Sequence, residues 1–297
     1  MYCSSYSISC FLEKCKYYYR FLLYFCGMIF VAGFGQMCNN ILQFGHLYAW
    51  GRKRGISVIA LRFCYKYLYF AISKTKHYHW FTYLFAKYGA KLRLFPVVSL
   101  PEEEDVSPEK IAFLQKARFV LIKGWGFRDY DAFLAYRDEI KNLFAFRREL
   151  TLKVDKCLPA LKENVLRLGV HIRRGDYKTW MSGHYYYSDE DFIRVIQLFH
   201  ALFPDNSIEI LIVGNEKKLP QEKYRAGLPE PIYFLSGNRA EDLYALSTCN
   251  YLIGPPSTFS LTAAFYNDSN LYWILDKNQP LSKESFQKFD YLFRNII

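Results

Sequence analysis

The spacing of apolar positions changes along the chain in a regular way. Met28–Ala32 is a short unbroken apolar run, which reads as a buried strand, and Gly33-Phe34-Gly35-Gln36 after it reads as a tight turn. From Met37 to Arg52 the period lengthens, so that Ile41, Phe44, Leu47 and Tyr48 share one helical face. Phe119–Lys123 predicts a strand broken by Gly124-Trp125-Gly126, then a helix from Asp129 or Asp131 to about Phe146. Thr151–Pro159 reads as a linker. From Leu166 onward the alternation is steady. Strands are expected at Leu166–Ile172, Ile208–Val213, Ile232–Leu235, Tyr251–Gly254 and Leu271–Leu275. Between them come a Ser188-capped helix to about Phe203 and helices at Glu241–Ser247 and Ser257–Phe265. Strands so uniformly apolar, alternating with helices, predict an α/β fold with parallel sheets covered on both faces.

Composition narrows this further. The chain has 297 residues, 52% of them apolar and 19% aromatic, enough for one large or two ordinary domains and too much for disorder. Charge is uneven. Residues 1–95 carry thirteen Lys/Arg against the single acid Glu13, an excess of +12, while the whole chain stands at +11, so the remainder sums to −1. A basic first third points to an anionic partner there: a membrane surface, a nucleic acid or an acidic substrate. Eight cysteines with no Cys-x-x-Cys pair suit neither a disulfide scaffold nor a structural metal site, and reduced cytosolic thiols are the expectation. Lys14, Lys16 and Arg20 precede the apolar run Phe21–Phe34, which has the look of a signal or short anchor. The run lacks both an uninterrupted span of about 18–20 apolar residues and a small-x-small cleavage site, so a first strand is preferred. Residues 1–27 then form an N-terminal extension, with Met28 as an alternative start.

Residues 61–88 hold eleven aromatics, among them Tyr65, Tyr67, Tyr69, Trp80, Phe81 and Tyr83, interleaved with Lys66, Lys74, Lys76 and Lys87. Core helices with basic outer faces account for this; so does a platform on which rings stack against sugars or sit at a headgroup layer. Asp129-Tyr130-Asp131 has a spacing that can hold a divalent cation, but both acids fall at a helix start, where carboxylates cap free amides.

The chemistry concentrates where strands end. Leu168–Ile172 runs straight into Arg173-Arg174-Gly175-Asp176-Tyr177. Two guanidinium groups at the end of an α/β strand suit a phosphate, and the glycine permits close approach of the backbone. A solvated charge cluster is the plainer alternative. Ile253-Gly254-Pro255-Pro256-Ser257-Thr258-Phe259-Ser260 joins a strand to a helix and sets hydroxyls and free amides at the helix N-terminus, where an anion is favoured. Gly33-x-Gly35 nearly matches the dinucleotide fingerprint but lacks the third glycine and the ribose-binding acid. Asp242 reads as a helix cap or as an acceptor for a guanine edge or a ribose.

These stretches carry a family resemblance. Gly169-Val170-His171-Ile172-Arg173-Arg174-Gly175-Asp176-Tyr177 is similar to the His-x-Arg-Arg-Gly-Asp-Tyr signature of the α-1,2-fucosyltransferases of glycosyltransferase family 11. Gly33-Phe34-Gly35-Gln36-Met37-Cys38-Asn39-Asn40 resembles the family's N-terminal turn, and Asp242–Ser247 through Ser257-Thr258-Phe259-Ser260 its C-terminal motif. The resemblance spans about residues 28–275 and implies a GT-B-like fold of two Rossmann-like domains, an acceptor-side domain at 28–158 and a GDP-fucose-binding domain at 159–297. It implies inverting transfer of L-fucose to a glycan hydroxyl, α-1,2 to a terminal galactose, with no metal required. Donor-binding residues by this resemblance are Gly33, Gly35, Gln36, His171, Arg173, Arg174, Asp242, Ser257 and Thr258; catalytic candidates are Arg173, Asp176 and His184. Strand alternation sets Arg173 on the side of His171 and turns Arg174 away, to brace the loop. Leu261-Thr262 departs from the family's Trp-rich continuation.

The rival readings are an NADP-dependent oxidoreductase built on Gly33-x-Gly35 and Arg52-Lys53-Arg54, which leaves Arg173-Arg174 unexplained, and a basic aromatic module for membrane or nucleic acid. On the fucosyltransferase reading the partners are GDP-fucose and a glycan acceptor, with no nucleic acid. The location is then cytoplasmic, peripheral on the inner membrane face.

Overall fold

The computed structural model describes residues 27–101, 106–216 and 218–295. Residues 1–26, on which the expected extension and most of the rival anchor reading fall, lie outside it, as do the acidic residues 102–105. The chain divides into two compact units. One comprises residues up to Gln36, 40–68 and 72–140; the other comprises 37–39, 69–71 and 141–297.

The first unit is a four-stranded parallel sheet. β1 (Met28–Val31) is buried at all four positions and lies between β2 (Ser57–Ala60) and β4 (Phe119–Gly124), with β3 (Val97–Leu100) outside β4. Among the described residues five helices accompany it: α1 (Met37–Arg52), α2 (Trp80–Lys91), α3 (Pro108–Lys116), α4 (Tyr130–Ala135) and α5 (Arg137–Leu143), the division between units falling within α5. The apolar face of α1 buries Phe44 and Leu47, and Gly45 lets the Phe133 ring approach: a Cβ there would stand 2.2 Å from it. His46, also buried, accepts from the Asp129 amide at 3.0 Å; burial, then the Arg128 charge, pull its pKa down to about 3, so it is a neutral packing group.

Two expectations change here. The helix foreseen from Asp129 to Phe146 is two helices, because Tyr136 leaves helical geometry (φ −109°, ψ 18°) and Phe146 instead bridges Phe70 in extended form. The aromatic stretch 61–88 is mostly not helical. Leu61–Cys64 and Ala71–Lys74 are single 3-10 turns, and only α2 is a full helix, begun by His79 accepting from the Thr82 amide at 3.3 Å.

The second unit is a five-stranded parallel sheet with the order β7-β6-β5-β8-β9. Its strands are β5 (Val165–Ile172), β6 (Ser207–Gly214), β7 (Ile232–Leu235), β8 (Tyr251–Gly254) and β9 (Asn270–Trp273). Its helices are α6 (Arg148–Asp155), α7 (Asp189–Leu202), α8 (Gln221–Gly227), α9 (Arg239–Ser247), α10 (Thr258–Asn267) and α11 (Phe289–Arg294). Leu168, Val170 and Ile172 of β5 pack with Ile210, Ile212 and Ile253 and with Phe192, Val195 and Phe199 of α7. Ser188 and Asp191 form the capping box that starts α7. In the expected linker stands α6, held to α9 by Lys153 on Glu241 (2.7 Å) and by Tyr244 donating to Asp155 (2.9 Å). Among the described residues no helix is long and apolar enough to cross a membrane.

Candidate functional site at the end of the central strand

β5 is the middle strand of its sheet, and its last residues carry the densest chemistry of the second unit. His171 is buried. Its ring lies 4.9 Å from the Phe259 ring at the start of α10, and Gly254 of β8 packs on its backbone, where a Cβ would stand 2.8 Å from the His171 carbonyl. Burial, then the Arg173 charge, pull the His171 pKa down to about 3, so the imidazole is neutral. Its Nδ1 is enclosed with no hydrogen-bond partner among the described residues. A buried ring nitrogen left open is costly, and a ligand is one way to fill it.

Arg173 follows as the strand ends. Its guanidinium holds Asp176 bidentately, Nη2 to Oδ2 at 2.7 Å and Nε to Oδ1 at 3.3 Å, and lies 5.0 Å over the Tyr177 ring. The Asp176 side chain is 61% exposed, so this is an exchangeable surface pair in which a carboxylate occupies the fork that would fit a phosphate. The Tyr177 hydroxyl donates to the Pro256 carbonyl, and its ring lies 4.7 Å from Trp180. That bond ties the Arg-Arg loop to the β8–α10 turn, two motifs about 80 residues apart in sequence. Ser257 caps α10, accepting from the Phe259 amide at 3.2 Å, and Thr258 donates to Asn39 at 2.6 Å, Asn39 being one of the three helix residues grouped with this unit.

Arg174, counted with the donor-binding residues, is instead buried on the other side of the chain. Nε donates to the Tyr187 carbonyl (2.8 Å), Nη2 to Asp189 (2.6 Å) and Nη1 to Glu216 (3.1 Å). Asn215 accepts from its amide at 3.0 Å. This is the bracing role, and it leaves Arg173 as the guanidinium that faces outward.

The other candidates are more dispersed. Asp242 is nearly buried and is not the cap of α9, since Asn238 accepts from the Ala240 and Glu241 amides and Glu241 completes the capping box. Asp242 accepts from the Gly237 amide at 2.9 Å; burial lifts its pKa to about 6 against that bond, with Glu241 adding to the rise. His184 is exposed, its ring edge-on to Tyr185 at 4.7 Å, just after Met181 and Ser182 in the left-handed region (φ 46° and 56°). Gly33, Gly35 and Gln36 belong to the first unit. Gly33 (φ +82°) and Gly35 (φ +59°) both use the conformation glycine allows, their carbonyls accept from Arg62, and α1 begins at Gln36 without a side-chain cap bond. Asp129 caps α4, accepting from the Ala132 amide at 3.0 Å. Among the described residues no group of three or more His, Cys, Asp or Glu side chains is arranged to hold a metal ion.

The sequence shows Phe259 inside the β8–α10 motif but gives it no role of its own, and no local pattern says that Asn215, just past β6, reaches the neighbouring loop.

The fold has known likenesses. A mutant FUT1 of Arabidopsis thaliana, solved in complex with GDP, is similar at a TM-score of 0.62 and 13% identity, over 96% of this chain and 82% of that one. The fucosyltransferase NodZ from Bradyrhizobium is similar at 0.54 and 12% identity, over 84% and 95%. A NodZ α-1,6-fucosyltransferase crystal soaked with GDP-fucose is similar at 0.54 and 11%, over 83% and 94%. These likenesses carry the fold, a GT-B-like pair of Rossmann-like units. No curated protein sequence matches the chain. The profile of glycosyl transferase family 11 matches residues 124–294, more than half of the chain and the whole of the β5–α10 site. The protein therefore belongs to glycosyl transferase family 11 and is a glycosyltransferase.

Proposed function

We propose that the protein transfers L-fucose from GDP-fucose, with inversion, to a glycan hydroxyl, α-1,2 to a terminal galactose, in building a surface polysaccharide or oligosaccharide. The observation that carries this reading is the outward fork of Arg173 at the end of the central strand, closed by an exposed carboxylate. The complexes of FUT1 with GDP and of NodZ with GDP-fucose support the choice of donor.

In this reading the β-phosphate displaces Asp176 from Arg173. As the fucose C1–O bond breaks, the electron pair passes to the phosphate oxygen, and the preplaced guanidinium stabilises the growing charge. The acceptor oxygen attacks C1 from the opposite face and gives up its proton to a base, for which Asp176, once released, and His184 are the candidates. Neutral His171 offers its open Nδ1 to the donor. Ser257 and Thr258 set hydroxyls at the start of α10 toward the diphosphate, and Asp242 meets the guanine or ribose. Gly33, Gly35 and Gln36 carry a donor role by motif resemblance alone. The basic first third would then sit at the cytoplasmic face of a membrane, where a lipid-carried glycan is presented.

The test is incubation with GDP-fucose and a panel of terminal galactosides, following GDP release and determining the linkage by NMR. Transfer should occur, and Arg173→Ala should lower kcat by about 10²–10³-fold while the circular dichroism spectrum stays unchanged. An Arg173→Ala variant with near-normal turnover would sink the assignment.

A further inference from the structure

The first unit has a cavity of its own, of about 370 Å³, which none of the donor-site residues lines. Its size falls in the range of small-ligand sites, about 300–1,000 Å³. It opens at the carboxyl end of the sheet, where Ala32 follows β1 and Lys123 stands near the end of β4. β1 and β4 are the two inner strands: the chain leaves β1 for β2 at one edge and enters β4 from β3 at the other. The carboxyl ends of such inner strands are where α/β sheets hold ligands. Tyr65 and Tyr83 form one wall, ring centroids 4.3 Å apart, with Trp80 5.2 Å beyond Tyr83. Lys87, Lys91 and Lys123 complete the lining, Lys87 lying 5.5 Å over the Tyr83 ring. Among the described residues no carboxylate lines the cavity, and the sequence has no Asp or Glu between Glu13 and Glu102. Among the described residues the three ammonium groups have no ion-pair partner.

Flat rings beside unneutralised ammonium groups in a concave site match a molecule with apolar C–H faces and an anionic group. We propose that this cleft binds an acidic saccharide, so that the glycan accepting fucose carries a phosphate or a carboxylate. That this saccharide accepts fucose rests on the fucosyltransferase reading; its binding does not. A lysine-rich surface also attracts anionic lipid, but the rings and lysines here face a cavity of saccharide size.

Binding to the full chain is measured by calorimetry at low salt with three probes: N-acetyllactosamine, its 1-phosphate, and the same disaccharide capped with glucuronic acid. At least one charged probe should bind about tenfold or more tighter than the neutral one, and the ratio between the two charged probes tells phosphate from carboxylate. Lys87→Gln with Lys123→Gln should abolish the preference, and Lys87→Arg with Lys123→Arg should keep it, both with GDP affinity unchanged. Equal binding of all three probes would overturn the proposal. So would a preference that survives the glutamine pair, or binding to phosphatidylglycerol vesicles with none to the saccharides. Failure of the donor reading shows separately, as loss of GDP binding in the unaltered chain.

Discussion

Truncating Arg174 to alanine should damage the fold rather than the chemistry. Its side chain is 7% exposed and joins Asp189, 16% exposed, and Glu216, 29% exposed, besides the Tyr187 carbonyl. Removing the guanidinium strands a largely buried Asp189 carboxylate, left among the described residues with the Tyr224 hydroxyl at 2.7 Å. Breaking a buried ion pair costs about 3–5 kcal/mol because the surviving charge stays desolvated. Glu216 can reach water, which puts the expected loss near the lower end, about 3 kcal/mol. At about 2–4 °C per kcal/mol for a chain of this size, that is a fall in Tm of roughly 6–12 °C. Adding Asp189→Asn removes the stranded charge and should recover part of the loss. Scanning calorimetry of the two variants, with GDP affinity measured on the folded fraction, reads both effects. An Arg174→Ala protein melting within a degree of the parent would refute the buried-brace reasoning, as would a double variant no better than the single one.

Other outcomes follow from the same geometry. The Asp242 carboxyl is raised to about 6, above its unfolded value of about 3.9, so between those pH values the folded state holds the extra proton. Stability from this group is therefore greatest at low pH and lost as pH rises through 6, by up to about 3 kcal/mol. Urea unfolding at pH 4 and pH 7.5 should show this fall relative to Asp242→Asn, and parallel profiles would contradict it. Gly254→Ala should destabilise by about 1–3 kcal/mol, since its Cβ would stand 2.8 Å from the His171 carbonyl and 3.2 Å from its Cβ. Neither neighbour can swing away, so thermal melting and GDP binding should both weaken, and an unchanged variant would rule out the close packing of β8 on β5.

The second sheet is legible in the sequence because its strands recur as mostly apolar runs between capped helices; Ser188 with Asp191 marks the start of α7 to the residue. The first sheet is only half legible. Ser57–Ala60 and Val97–Leu100 are four residues each, with an exposed first residue, and nothing in their own period distinguishes them from loops. The aromatic stretch misleads for a different reason. Phe63 is buried from a single 3-10 turn and Tyr67 and Phe70 from outside any helix, so composition speaks of burial without a full helix. At the site, alternation is enough to separate Arg173 from Arg174. It cannot name the partners of Arg174, which lie 15 and 42 residues away and meet it only because α7 and β6 flank β5. The linker expected at Thr151–Pro159 fails similarly, since α6 is stabilised by α9, almost 90 residues on.

The central place of β5 also bears on timescale. Hydrogen-bonded on both sides, by β6 along all eight residues and by β8 at Leu168–Val170, it has no edge from which to fray. Its amides can meet solvent only when the whole sheet opens, so the base on which Arg173 stands persists as long as the folded state does. Whatever moves during a catalytic cycle, the anchor of that guanidinium is the part of the unit with least freedom to take part.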